Sequence, residues 1–290
     1  MFEALQHRTP RLWPWVQLMR LDRPIGTLVV LWPTLWALWV AGGGRPAGHH
    51  IVIFILGVIV MRAAGCVIND YADRNFDGHV ARTQDRPLAT GALRGRDALM
   101  LFAALLLVAL ILVLQLNRFT FYLAFGAVGL AIIYPFMKRF TFLPQFVLGV
   151  AFAWAIPMAF AAETNSLPPE TWLIFVAKIM WTVAYDTQYA MCDREDDLKV
   201  GIKSTAILFG DADRLIIGLL QVLTLWPLWL LGRGLEFGAA WYLGLAATAV
   251  LFVYQQWLIR DREPAACFRA FLNNQWVGAA IFAGLWLQYL

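Results

Sequence analysis

The chain has 290 residues, 61% of them hydrophobic and only 14% charged, with a formal net charge of +4. That balance excludes a soluble globular domain and predicts an all-α polytopic membrane protein, because several apolar runs approach the roughly 20 residues that cross a bilayer. The positive charge needs no nucleic acid to explain it, and Cys66, Cys192 and Cys267 have neither CxxC spacing nor the look of a disulfide framework.

Residues 1 to 23 are interrupted by Arg8, Arg11, Arg20, Asp22 and Arg23, so they read as no cleavable signal peptide. Trp13 and Trp15 predict a short helix at the membrane interface. Apolar runs separated by polar or Gly/Pro breaks then predict nine spans, at 24–41, 51–69, 98–116, 119–137, 144–162, 171–191, 213–232, 238–258 and 271–289. Lysine and arginine are distributed unevenly between the two sets of connections. Eighteen lie in the N-terminal segment and the loops after spans 2, 4, 6 and 8, against Arg45, Arg118 and Arg233 opposite. By the positive-inside rule the N-terminus is cytoplasmic. The four histidines, His7, His49, His50 and His79, read as loop residues.

The second span runs without a break into Asn69, Asp70, Asp73 and Asp77. At about 100° per residue, Asn69, Asp73 and Asp77 share one helix face, with Asp70 flanking it and Arg62 in line about 10 Å deeper. A solvated helix end is the plain alternative. Carboxylates on a spanning helix are costly, however, and four oxygen side chains in register with a cation mark a site. The sixth span repeats the pattern with Asp186, Asp193 and Asp197, whose spacing puts them within about 20° of one line on a continuous helix. Both clusters fall at the cytoplasmic side, four spans apart. This suggests a four-helix unit used twice (about 24–137 and 144–258) plus a ninth helix, within a single membrane-embedded domain over 1–290.

Each acidic segment is followed by a basic loop, which cytoplasmic topology alone also explains. Hard oxygen ligands suit Mg²⁺, which binds jointly to carboxylates and substrate phosphates. Two facing clusters thus suit a diphosphate, and beside lipid the natural diphosphate ester is an isoprenoid whose tail stays in the bilayer. Arg62 needs an anion: either a carboxylate from another helix or that of an aromatic acid substrate.

At these residues the chain resembles the UbiA family of membrane prenyltransferases, and within it the branch that prenylates 4-hydroxybenzoate in ubiquinone synthesis. The family's NDxxDxxxD motif appears as Asn69, Asp70, Asp73 and Asp77, and its second Asp-rich motif as Asp193 to Asp197 within YDTQYAMCDREDDLKVGIKST. The segments around Arg20 to Gly26, Leu31 to Thr34, Tyr134 to Arg139 and Ala266 to Phe268 resemble the hydroxybenzoate branch as well; Glu195 and Lys178 look like local variation.

The resemblance implies nine helices around a central cavity opening to the cytoplasmic side, in a bacterial inner membrane, and Mg²⁺-dependent transfer of a polyprenyl group from polyprenyl diphosphate to the carbon ortho to the phenol of 4-hydroxybenzoate. It implies that Asn69, Asp73, Asp77, Asp186, Asp193 and Asp197 serve the metal, with Asp70 and Asp196 beside them. Arg62 would meet the hydroxybenzoate carboxylate, and Lys138, Arg139 and Lys203 the diphosphate. Asp186 is a candidate to accept the ring proton. Two other readings remain open: a related enzyme acting on homogentisate, dihydroxynaphthoate or protohaem, and a cation transporter using intramembrane carboxylates.

Overall fold

The computed structural model describes residues 10–75, 78 and 83–290, and among these every regular element is a helix. The chain opens with the short α1 (Trp13–Leu18), whose Leu18 is fully buried against Val67, Leu93 and Ala98. There follow α2 (Ile25–Ala41), α3 (Gly48–Asp73), α4 (Gly95–Val113) and α5 (Arg118–Phe140). The 26 residues of α3 extend it to about 39 Å, longer than a hydrocarbon core, so its last turn reaches past the apolar layer with Asn69, Asp70 and Asp73 on it.

The predicted span at 144–162 is two helices, α6 (Pro144–Ala153) and α7 (Ala155–Thr164), meeting at Trp154. Pro157 explains the break: it has no N–H to give the Ala153 carbonyl one turn back, and its ring crowds that carbonyl. Trp154 at the joint packs on α5, donating to the Leu123 carbonyl at 2.8 Å and lying on Gly126, where a Cβ would come within 2.5 Å of the indole.

Beyond it run α8 (Pro169–Cys192), α9 (Arg194–Val200), α10 (Thr205–Phe209), α11 (Asp213–Gly234), α12 (Ala239–Leu258) and α13 (Pro264–Gln288). Each predicted span coincides with helix. Among the described residues, six segments qualify as membrane-crossing by length and composition alone; Ile25–Ala41 is apolar but short. The chain is a multi-pass membrane protein.

The core gathers around Trp36, Trp181 and Trp241, all about 1% exposed or less. Trp36 stacks on Trp181 at 5.5 Å between ring centroids and donates to the Gly278 carbonyl at 3.1 Å, joining α2, α8 and α13. Helices α12 and α13 cross at Gly244 and Gly284, where a Cβ on either would lie 2.9 Å from the other's Cα. Such close backbone approach is how helices associate where lipid removes the hydrophobic drive. In contrast, α4 and α5 bury few side chains and turn Leu107, Ile111, Phe125 and Ile133 outward, as a lipid-facing wall requires.

Candidate functional site

The last turn of α3 separates its acids onto two sides. Asp73, 1% exposed, accepts from Asn69 Nδ2 at 3.2 Å and pairs with Lys138 from α5 through the same Oδ2 oxygen. Its Oδ1 is buried with no hydrogen-bond partner among the described residues. Asp70 faces the other way, accepting from Arg20 through both oxygens at 2.9 Å and lying 3.1 Å from Arg86. Two guanidiniums on one buried carboxylate make Asp70 a clasp between the N-terminal segment, α3 and the loop before α4. Arg20 reaches it from a left-handed backbone conformation at φ 56°, steadied by a 2.7 Å bond to the Gln17 carbonyl.

The second segment departs from the predicted continuous helix. Helix α8 ends at Cys192, Asp193 leaves helical geometry at φ −108° and ψ 5°, and α9 starts afresh with Glu195, Asp196 and Asp197 in its first turn. Acids there complement the partial positive charge of a helix N-terminus. Gly201, at φ 71°, ends α9 in a left-handed cap. The following loop returns so that the Lys203 N–H donates to the Lys138 carbonyl at 3.2 Å, which brings the two lysines to one wall. Thr187 and Thr205 hydroxyls meet at 2.7 Å, and Gln145 accepts from the Thr205 N–H at 3.0 Å, fixing that loop against α8 and α6.

The result is a polar chamber of about 160 Å³ lined by Asn69 and Asp73 from α3, by Asp186, Asp193 and Asp197, and by Lys138, Lys203 and Arg86. The two acidic segments, over 100 residues apart, do meet. Asp77 lies outside the described residues. Three other predicted site residues stand apart from the chamber wall. Asp70 is held as above. Asp196 is in an exposed pair with Lys199 at 3.0 Å, and Arg139 donates to the Ala72 carbonyl at 2.7 Å while lying over the Phe136 ring.

A larger, mainly apolar cavity of about 500 Å³ adjoins the chamber, bounded by α2 to α8 and the start of α13. Asn69, Arg86, Tyr134, Asp186 and Tyr189 line both spaces, so they form the shared wall. Arg62 lies deeper along the large cavity, with its guanidinium over the Phe152 ring at 5.6 Å and donating to Cys66 Sγ. Its Nε is buried without a partner, and among the described residues no carboxylate stands within ion-pair distance. Of the two anions expected, an internal carboxylate is thus not found beside Arg62 among the described residues. Gly26 makes the room: a Cβ there would lie 2.5 Å from Arg62 Nη2.

Sequence reasoning missed Arg20, Arg86, Tyr134 and Tyr189. Arg86 enters the sequence reading only as loop charge, Arg20 and Tyr134 stand in segments that carry the resemblance without a role of their own, and the tyrosines have no spacing signal beyond their nearness to the acids. The donor set fits Mg²⁺: hard carboxylate oxygens, one of them buried and unbonded, beside cations suited to phosphate. Among the described residues no three acidic, histidine or cysteine side chains close into a preformed cage. That suits an ion that keeps waters and recruits substrate oxygens.

Comparison with known proteins adds the following. Residues 30–283 match the model of the UbiA prenyltransferase family. A 4-hydroxybenzoate octaprenyltransferase of Alcanivorax borkumensis is 64% identical over 289 residues, 100% of each chain. Enzymes of the same name from Ectopseudomonas mendocina, 61% identical over 97% of this chain and 95% of that one, and from Pseudomonas aeruginosa, 60% over 100% and 98%, are also similar. Among solved structures, a UbiA homolog from Aeropyrum pernix K1 superposes with a TM-score of 0.80 at 23% identity, covering 91% of this chain and 98% of that one. A UbiA homolog from Archaeoglobus fulgidus bound to GPP and Mg²⁺ gives 0.71 at 19% identity, covering 95% and 99%. These two likenesses establish the fold.

Proposed function

The chain belongs to the UbiA prenyltransferase family, and from that premise we propose that it transfers a polyprenyl group from polyprenyl diphosphate to the carbon ortho to the hydroxyl of 4-hydroxybenzoate, releasing diphosphate, in ubiquinone biosynthesis. The observation that carries this reading is the junction of the two cavities. A polar chamber suited to diphosphate shares a wall with a mainly apolar space that an anion-seeking Arg62 also lines. Head group, tail and aromatic acid each meet the chemistry they require.

When bound, Mg²⁺ would supply charge neutralisation to diphosphate oxygens and so make diphosphate a better leaving group. Asn69, Asp73, Asp193 and Asp197 are the residues of the chamber suited to hold it, and Lys138, Lys203 and Arg86 pair with the remaining phosphate oxygens. The prenyl C1–O bond breaks toward the chamber while the allylic carbon faces the larger cavity. The tail extends along the apolar walls supplied by α4 and α5. Arg62 holds the carboxylate of the aromatic acid, which presents its phenol end toward the shared wall. The ring carbon ortho to the hydroxyl forms the new C–C bond, and Asp186, on that wall, receives the proton lost as aromaticity returns. The basic loops orient the chamber toward the cytoplasm of a bacterial inner membrane.

The test is to incubate the purified protein in lipid with geranyl or a longer prenyl diphosphate, Mg²⁺ and 4-hydroxybenzoate, and to follow product by mass with and without EDTA. Metal-dependent 3-prenyl-4-hydroxybenzoate is the expected product. Its absence, with product from homogentisate or dihydroxynaphthoate instead, overturns the acceptor; cation flux in liposomes without any prenyl transfer overturns the reaction.

A further inference from the structure

Arg62 and Lys178 are the two basic side chains set well inside the predicted spans, and the mechanism above uses only the first. Lys178 lies on α8 and is 0% exposed. A lysine at such depth is costly to keep and calls for a partner. Its Nζ donates to the hydroxyl of Tyr185, two helical turns on along the same face, at 3.0 Å. It is otherwise enclosed by aromatic rings: Trp181 at 4.7 Å, Tyr185 at 4.8 Å and Phe152 at 5.6 Å from Nζ to centroid. Among the described residues no carboxylate stands within ion-pair distance of it.

Two of those rings belong to the large cavity. Phe152 and Tyr185 both line it, whereas Lys178 and Trp181 stand behind them. Phe152 also carries the Arg62 guanidinium on its ring, also at 5.6 Å, so one phenyl contacts both cations. Tyr185 immediately precedes Asp186, on the wall shared with the polar chamber. Trp181 is fixed in turn by its stack on Trp36 and its 2.8 Å bond to Asn274, so the box around Lys178 is rigid on its far side.

We infer that Lys178 is a positioning residue for the aromatic acceptor: acting from behind the wall, it holds the Tyr185 and Phe152 rings that line the cavity beside Arg62. The inference rests on the reading that this part of the cavity receives the aromatic acid. Lys178 touches no substrate. Its hydrogen bond to Tyr185 and its cation–π contacts set the angles of two rings against which a flat acceptor packs.

The experiment is steady-state kinetics on Lys178→Met, Tyr185→Phe, the double variant and Arg62→Leu, varying 4-hydroxybenzoate and prenyl diphosphate separately. The methionine fills the space without the donor, and the phenylalanine keeps the ring without the acceptor. The KM for 4-hydroxybenzoate rises roughly threefold to tenfold in each single variant, as loss of one hydrogen bond implies, while that for prenyl diphosphate stays within about twofold. The double variant is no worse than Lys178→Met alone, because the lysine's loss already removes the bond that Tyr185→Phe would break. Should Lys178→Met not fold, Tyr185→Phe alone carries the test. Equal rises for both substrates, additive effects, or no rise while Arg62→Leu does raise the acceptor KM overturn the inference. No acceptor effect in Arg62→Leu itself overturns the reading beneath it, and the inference with it.

Discussion

At the scale of single residues, Arg62 shows how a buried charge states its purpose. Its guanidinium has a sulfur and an aromatic face for company and a buried Nε with no acceptor, so a bound carboxylate would satisfy hydrogen bonds the protein leaves open. Losing one charge-assisted hydrogen bond costs about 1.5–3 kcal/mol, roughly a tenfold to hundredfold weakening. Arg62→Leu is therefore expected to raise the KM for the aromatic acid by about that factor and leave the KM for prenyl diphosphate nearly unchanged, in kinetics with each substrate varied. Gly26 supplies a second route to the same end. An alanine methyl there meets the flexible tip of Arg62 rather than backbone, so Gly26→Ala is expected to displace the guanidinium and raise the acceptor KM while the melting temperature moves little. A large fall in melting temperature with no change in that KM contradicts the account.

At the scale of elements, the second acidic segment depends on how its short helix is held. Asp213, buried at the start of α11, accepts from Arg262 at 2.9 to 3.1 Å, pairs with Arg194 and caps the Arg214 N–H at 2.6 Å. Arg194 stands between Asp193 and Asp197, so this cluster ties α9 to α11 and to the turn before α13. Removing the shared carboxylate strands two arginines. Both are partly exposed, which limits the penalty to about 2 kcal/mol. Asp213→Ala is expected to lower the melting temperature and to raise the Mg²⁺ concentration needed for half-maximal activity. A normal melting curve with an unchanged Mg²⁺ requirement counts against the clasp.

The element scale is also where sequence and structure part. Every predicted span coincides with helix because apolar runs of bilayer length leave the backbone no other way to satisfy its hydrogen bonds. Two breaks were not legible. Pro157 sits inside an apolar run whose hydrophobic signal continues through it, so the division at Trp154 leaves no trace in hydropathy. The seven and eleven residue offsets from Asp186 to Asp193 and Asp197 mimic one helix face, yet the chain turns at Asp193 and a second short helix carries Asp197, with all three acids still lining one chamber. Likewise Asp70 shares its motif with Asp73, and only the approach of Arg20 and Arg86 shows that the two carboxylates have different company.

At the scale of the whole molecule, the site exists only where distant parts of the chain close on one another. Asp73 comes from α3, Lys138 from α5, Asp193 and Asp197 from the end of α8 and from α9, and the Lys203 N–H bonded to the Lys138 carbonyl closes the circle. A ligand that bridges these groups links α3, α5 and α8 at once and so stabilises the assembled form against any state in which they separate. At about 100 times its dissociation constant such a ligand adds about 2.7 kcal/mol. Mg²⁺ with geranyl diphosphate is thus expected to raise the melting temperature of the wild-type protein in detergent. Asp73→Asn and Asp193→Asn should each abolish that rise, since either loss opens the bridge, while both unliganded variants still melt cooperatively. If one variant keeps the full ligand-induced shift, its acidic segment does not share in holding the diphosphate, and the chamber works from one side only.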